Sequence, residues 1–148
     1  MSRPSLTLVT LGVRDHARAR SFYVTLGFDL LEGSNDSVSF LNVGSTLLAL
    51  FGRSDLAADA QVADTPTGFS GIALARNVEN EAAVDRVLQE AVAAGATLTK
   101  SGQKTFWGGY AGYFADPDGH LWEVAYNPYW TMDAEGRVRL ALAGDTSR

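Results

Sequence analysis

One order of local patterns occurs twice along the 148 residues: a strand-like run, a helical run closed by glycine, then three short strand-like runs divided by turn formers. In the first pass, residues 6–13 are β-branched and apolar, and Asp15 stands where a helix N-cap belongs. Ala19, Phe22, Tyr23 and Leu26 then recur at helical spacing before Gly27. Residues 28–32, 37–43 and 46–51 read as strands, separated by Gly33-Ser34-Asn35-Asp36 and by Gly44-Ser45. In the second pass, residues 71–75 read as a strand, and residues 79–94 carry Ala83, Val84, Val87, Leu88, Ala91 and Val92 on one helical face before Gly95. Strands follow at 96–100, 110–115 and 121–126, the last pair joined by the tight-turn sequence Asp116-Pro117-Asp118-Gly119.

An internal repeat by pattern means two similar modules that each bury one face. Either sheet alone is too small for a sufficient core, which is the physical reason to expect them to pair. The expected class is therefore α+β, built from two tandem βαβββ modules. The modules occupy residues 1–52 and 70–128, joined by a connection at 53–69 that shows no strong periodicity, with a C-terminal tail at 129–148. Superposing the passes places Leu8 on Gly71 and Leu48 on Glu123.

The charge balance narrows the partners. A formal net charge of −5, with basic residues scattered, disfavours nucleic acid, whose phosphates need a concentrated cationic face. No apolar run is long enough to cross a bilayer, so no membrane partner is expected. Zero cysteines leave no disulfide, thiolate nucleophile or cysteine-bound metal. With no apolar core of a secretory signal near residue 1, a cytoplasmic location is expected.

The run Trp107-Gly108-Gly109-Tyr110-Ala111-Gly112-Tyr113-Phe114-Ala115-Asp116-Pro117-Asp118-Gly119-His120-Leu121-Trp122-Glu123-Val124 resembles the closing hairpin of the vicinal oxygen chelate superfamily, which includes glyoxalase I, the bleomycin-resistance proteins and the extradiol dioxygenases. So do Leu11-Gly12-Val13-Arg14-Asp15, Ser21-Phe22-Tyr23 and Leu26-Gly27-Phe28. The resemblance implies that each module rolls into a half-barrel, so that the two tandem modules form a curved mixed sheet around a central cleft, that the mouth between modules holds a ligand, and that a homodimer forms. It also implies, for metal-dependent members, four ligands on the first and last strands of each module. Those positions fall here on Leu8, Leu48, Gly71 and Glu123, of which only Glu123 can chelate. Their neighbours Thr7, Val9, Leu47, Ala49, Ser70 and Ile72 add no imidazole or carboxylate. No metal or other cofactor is expected, and no glycine-rich phosphate loop occurs.

Glu123 is the candidate catalytic or anchoring group. By strand alternation it shares a face with Leu121 and Ala125, and in the resemblance that face lines the cavity. Walled by Leu8, Leu48, Leu50 and Leu121 it would be partly desolvated, fit to serve as a base or a hydrogen-bond anchor; a structural remnant paired with an internal donor is the bland alternative. Trp107 and Tyr110 are expected at the pocket rim, with Leu8, Thr10, Leu48, Leu50 and Leu121 as walls, although aromatic residues also build ordinary cores. Small residues at Thr10, Gly12, Gly71, Ala73 and Ala75 leave room between the sheets, for ligand or for facing aromatic side chains. Gly108-Gly109 reads as a lid hinge or as a tight loop. His16 and His120 read as surface histidines, and no serine has an evident partner base.

The preferred expectation is metal-independent capture of a small apolar or aromatic molecule in the inter-module cleft, driven by burial at about 25 cal/mol per Å². Turnover is not the favoured reading. The alternatives are a metal-dependent lyase, isomerase or dioxygenase of the same superfamily, and a scaffold with no ligand.

Overall fold

In the computed structural model, which describes residues 3–65, 68–141 and 143–144, the repeat is present as two four-stranded sheets. Pro66 of the expected connection and the last four positions of the tail lie outside the described residues. The first module runs β1 (Leu8–Val13), α1 (His16–Thr25), β2 (Asp29–Leu30), β3 (Val38–Asn42) and β4 (Leu47–Gly52). Next comes α2 (Arg53–Ala60), and then β5 (Ala73–Asn77), α3 (Glu81–Ala93), β6 (Thr97–Lys104), β7 (Tyr110–Ala115) and β8 (Leu121–Tyr126). The strand orders, β1-β4-β3-β2 and β5-β8-β7-β6, are the same. In each module the first strand pairs in parallel with the fourth, and the others pair antiparallel.

The caps act as the sequence predicts. Asp15 accepts a hydrogen bond from the Arg18 backbone N–H at 3.0 Å, and Gly27 takes φ of +96° just past the first helix. Asn80 caps α3 through Ala83, so that helix starts two residues later than expected. The Asp116-Pro117-Asp118-Gly119 turn closes with Asp116 Oδ1 accepting the backbone N–H groups of Asp118 and His120, each at 2.9 Å.

Three expectations need correction. Residues 53–60 are helical rather than a plain connection; with only Leu56 and Ala57 turned inward beside Arg53, the helix is too short for its periodicity to stand out. The fifth strand begins at Ala73 rather than Gly71, because Gly71 has φ of +80°, outside the strand region. The second strand shrinks to Asp29–Leu30.

The core is common to both modules. Leu11, Val13, Leu48 and Leu50 from the first sheet join Phe22 and Tyr23 of α1, Val84, Val87 and Leu88 of α3, and Phe114, Trp122 and Val124 of the second sheet. Phe114 and Trp122 stack at 6.2 Å with an interplanar angle of 6°, and Phe22 meets Phe114 edge-on. The modules therefore stabilise each other by shared apolar burial. At the end of the tail, Met132 and Val138 form an antiparallel bridge, and Arg137 lies against the Gly44 turn.

Candidate functional site between the modules

Strand alternation sorts the side chains into two faces. In the first sheet Leu11, Val13, Leu48 and Leu50 point toward α1, so Leu8, Thr10, Gly12, Leu47 and Ala49 point the other way. A methyl group on Gly12 would meet Arg53 Cα at 3.2 Å, which places the start of α2 over that opposite face. This cover explains why Ala49 is only 2% exposed although it points away from α1. Among the described residues the second sheet has no counterpart of α2, and Ala73 and Ala75 stay exposed on its equivalent face.

Ladder register shows which positions correspond. Thr10 pairs with Ala49 in the first module, and Ala75 pairs with Glu123 in the second. The counterpart of Glu123 is therefore Ala49 rather than Leu48, and Leu48 and Leu50 belong to the core instead of the cleft. A superposition one residue out of register moves every side chain of a strand to its other face. Gly71 lies before its strand and contributes nothing to this row.

Glu123 is half-buried on the open face of the second sheet, where Tyr113 Oη donates to Glu123 Oε2 at 3.1 Å. Desolvation first, and then the Glu123 carboxylate, push the Tyr113 phenol above its ordinary range and keep it a donor. Tyr113 was not expected from the sequence; its two-residue spacing from Ala111 and Ala115 and its place opposite Glu123 across the hairpin were the signal. Tyr110 points to the other face: its hydroxyl donates to Asp85 Oδ1 of α3 at 2.9 Å, and its ring packs on the core. Trp107 packs over Gly109 beside the end of β8, where a methyl on Gly109 would collide with its indole and with the Tyr126 carbonyl. Gly108-Gly109 is thus a tight turn around an aromatic ring.

Two cavities open where the C-terminal end of β1 meets the start of β5 and β8. One, of about 330 Å³, is mostly apolar and is lined by Thr10, Leu56, Ala57, Val62, Leu74 and Leu121 among others. The other, of about 900 Å³, is more polar and adds Arg14, Asp118, Phe69 and Thr99. They share Arg53, Asp64, Ser70, Ile72, His120 and Leu121, so they form one continuous cleft. Arg53 Nε donates to Asp64 at 2.7 Å and ties α2 to the segment that leads into the second module. Of the expected walls, Thr10 and Leu121 line this cleft; Leu8 shares the face of Thr10 but, like Glu123 and Trp107, lies outside the two cavities. Glu123 follows Leu121 by two residues on the same strand face, about 7 Å along the floor.

Both histidines are bonded rather than free on the surface. His120 Nε2 donates to the Gly12 carbonyl at 2.8 Å, and the Arg14 backbone N–H donates to Asp118 Oδ1 at 2.9 Å, clasping the two modules at the cleft mouth. His16 Nε2 shares a hydrogen bond of 2.9 Å with Ser39 Oγ, so that serine does have a partner base. Ser39 is 0% exposed, however, and lines neither cavity.

A family model described as the glyoxalase/bleomycin resistance protein/dioxygenase superfamily matches residues 5–124. The chain belongs to this superfamily. Among solved structures of the superfamily fold, a glyoxalase-related enzyme from Fulvimarina pelagi is 35% identical, with a TM-score of 0.84 over 93% of this chain and 99% of that one. A glyoxalase/bleomycin resistance protein/dioxygenase family enzyme from Burkholderia phytofirmans PsJN has a TM-score of 0.76 at 24% identity, covering 83% of this chain and 98% of its own. Lactoylglutathione lyase from Agrobacterium tumefaciens has the same fold, with a TM-score of 0.65 at 21% identity over 89% and 100% of the two chains. No curated protein matches the chain in sequence.

Metal-dependent members of the superfamily need converging donors, and the residues here do not fit that requirement. The residues on this face of the first and last strands of each module, Leu8, Thr10, Leu47, Ala49, Ala73, Ala75, Leu121 and Glu123, include a single carboxylate. Among the described residues no three His, Cys, Asp or Glu side chains are grouped to hold a metal ion. No helix among them is long and apolar enough to cross a membrane.

Proposed function

We propose that this superfamily member binds a small apolar or aromatic molecule in the inter-module cleft without a metal ion, as a cytoplasmic homodimer. The observation that carries the reading is the cavity of about 330 Å³ between Thr10, α2, Leu74 and Leu121. Its size is that of a small-ligand site, and its walls are apolar with a few polar groups at the rim. The exposed side chains of Val62, Phe69 and Ile72 border the same opening, where a ligand would withdraw them from water. Removing apolar surface of ligand and protein from water supplies the affinity.

The test is a thermal-shift screen of aromatic and drug-like compounds against the wild type and Ala57→Phe, which fills the cavity from α2. A compound that raises Tm in the wild type and not in the variant supports the proposal. If no compound raises Tm, a ligand-free scaffold is the better description.

Turnover is the second reading, favoured by the Fulvimarina pelagi relative, which is a glyoxalase-related enzyme. Here Glu123, hydrogen-bonded by Tyr113, is the acid–base group, because Asp64 and Asp118 of the cleft wall are engaged by Arg53 and by the Arg14 backbone N–H. A stoichiometric transition metal in protein purified aerobically would turn this reading toward the metal-dependent lyases, isomerases and dioxygenases and overturn metal-independent capture.

A further inference from the structure

We infer that the Glu123–Tyr113 pair makes the cleft selective for an apolar molecule bearing one organic cation, a protonated amine or guanidinium. The inference rests on the cleft being a binding site, as proposed above, and names the class of ligand it takes.

Glu123 has an acceptor to offer. Tyr113 donates to Oε2, and no other side chain or backbone group among the described residues donates to the carboxylate. None of the ion pairs among the described residues includes it. Lys100 is in register with Tyr113 on the far side of β7, yet it is exposed and makes no pair with Glu123. The register neighbour on the other side is Ala75, and Leu121 and Ala125 flank Glu123 along its own strand face. A carboxylate on a floor of alanine and leucine, half-buried and without a counter-charge, is stabilised most by a ligand that brings one.

The hydroxyl of Tyr113 adds direction. By holding Oε2 it restricts the carboxylate and leaves Oε1 without a donor among the described residues, so the head group meets a fixed acceptor rather than a swinging one. Leu121 supplies the other end, because it lines the apolar cavity and stands about 7 Å from Glu123 along the strand. A ligand whose ring system rests on Leu121 thus places a cation two to three bonds away beside the carboxylate. One carboxylate suits a monovalent organic cation, whereas a divalent metal needs several donors.

Calorimetric titration with 2-(2-naphthyl)ethylamine, the corresponding alcohol and 3-(2-naphthyl)propanoate at neutral pH tests this. The ammonium is expected to bind the wild type about tenfold more tightly than the alcohol, and the carboxylate more weakly than either. Glu123→Gln should bring the ammonium to within about threefold of the alcohol and leave the alcohol's Kd unchanged. Ala75→Lys, at an exposed position in register with Glu123, supplies an internal cation and should abolish the same preference, which keeps the test intact if the first variant does not fold. Equal binding of amine and alcohol by the wild type, or a preference that survives in a folded Glu123→Gln, overturns the charge selection while leaving the cleft a binding site. Failure of all three probes to bind the wild type, together with a blank compound screen, overturns the binding site itself.

Discussion

Tyr23 Oη donates to Asp116 Oδ2 at 2.5 Å, joining the helix of the first module to the hairpin turn of the second through groups that are 0% and 3% exposed. Trp122 Nε1 donates to the same phenol at 3.1 Å, and Asp116 Oδ1 holds the turn's own backbone. The network is closed, so each member is costly to remove alone. Tyr23→Phe keeps the ring in the aromatic core and strips only the hydroxyl. A loss of about 1–3 kcal/mol in urea-induced unfolding is expected, and a loss under about 0.5 kcal/mol would deny the network its role in joining the modules.

Burial first, and then the Asp116 charge, drive the Tyr23 phenol far above its ordinary range. Unfolded tyrosine ionises near pH 10, whereas the folded group stays protonated well beyond that. The stabilisation is therefore complete below about pH 9 and is lost as pH rises past the unfolded value, by up to about 1.4 kcal/mol per pH unit for this group. Urea melts of wild type and Tyr23→Phe between about pH 8 and pH 11 should show a steeper alkaline decline in the wild type. Parallel declines would assign the loss to other groups, such as Tyr110 and Tyr113, whose phenols are also raised.

Leu50 is 0% exposed in the shared core, and Ala49 beside it lies under α2. Leu50→Ala should cost about 2–5 kcal/mol and leave the affinity of any cleft ligand that is still measurable unchanged. A ligand affinity that falls with Leu50 in a protein of normal stability would return this residue to the cleft wall and reverse the register of β4.

Gly109 lies under the Trp107 indole. Gly109→Ala should push the ring away, at a cost of about 1–3 kcal/mol, and shift the intrinsic tryptophan emission to longer wavelength as Trp107 gains water. An unshifted spectrum in Gly109→Ala would place the indole elsewhere.

The Arg53–Asp64 pair is about a third exposed on each side, 38% and 34%, so its contribution to global stability is small. Arg53→Met should change the unfolding free energy by less than about 1 kcal/mol. It should nevertheless speed proteolytic cleavage near Asp64, because the anchor that holds this segment to α2 is gone. Cleavage at the wild-type rate would show that the apolar contacts of α2 suffice.

Much of the fold was legible because its signals are local. Asp15 bonds to backbone within its own first turn, Gly27 and Gly95 take the positive φ that ends helices, and Asp116 organises its own turn. The hairpin strands Tyr110–Ala115 and Leu121–Tyr126 match their expected limits for the same reason. The site was legible only in part. Thr10 and Leu121 line the cleft and Glu123 lies beside it on the strand face of Leu121, but Leu48 and Leu50 were drawn to the cleft by a pairing that the residues of one strand cannot decide. Tyr110 was taken for the rim because an aromatic ring suits a wall and a core equally well, and its bond to Asp85 spans 25 positions of sequence.

By itself the sequence determined that two βαβββ units would form, since periodicity and caps require no knowledge of neighbours, and its family resemblance implied that a lone carboxylate would stand where chelation needs several donors. Only the tertiary structure decided which strand faces meet, that α2 covers one floor and leaves the other open, and that Tyr113 is the residue holding Glu123. Those outcomes depend on ladder register and on packing between segments far apart in the chain. There a shift of one residue exchanges core for cleft, and no local preference opposes it.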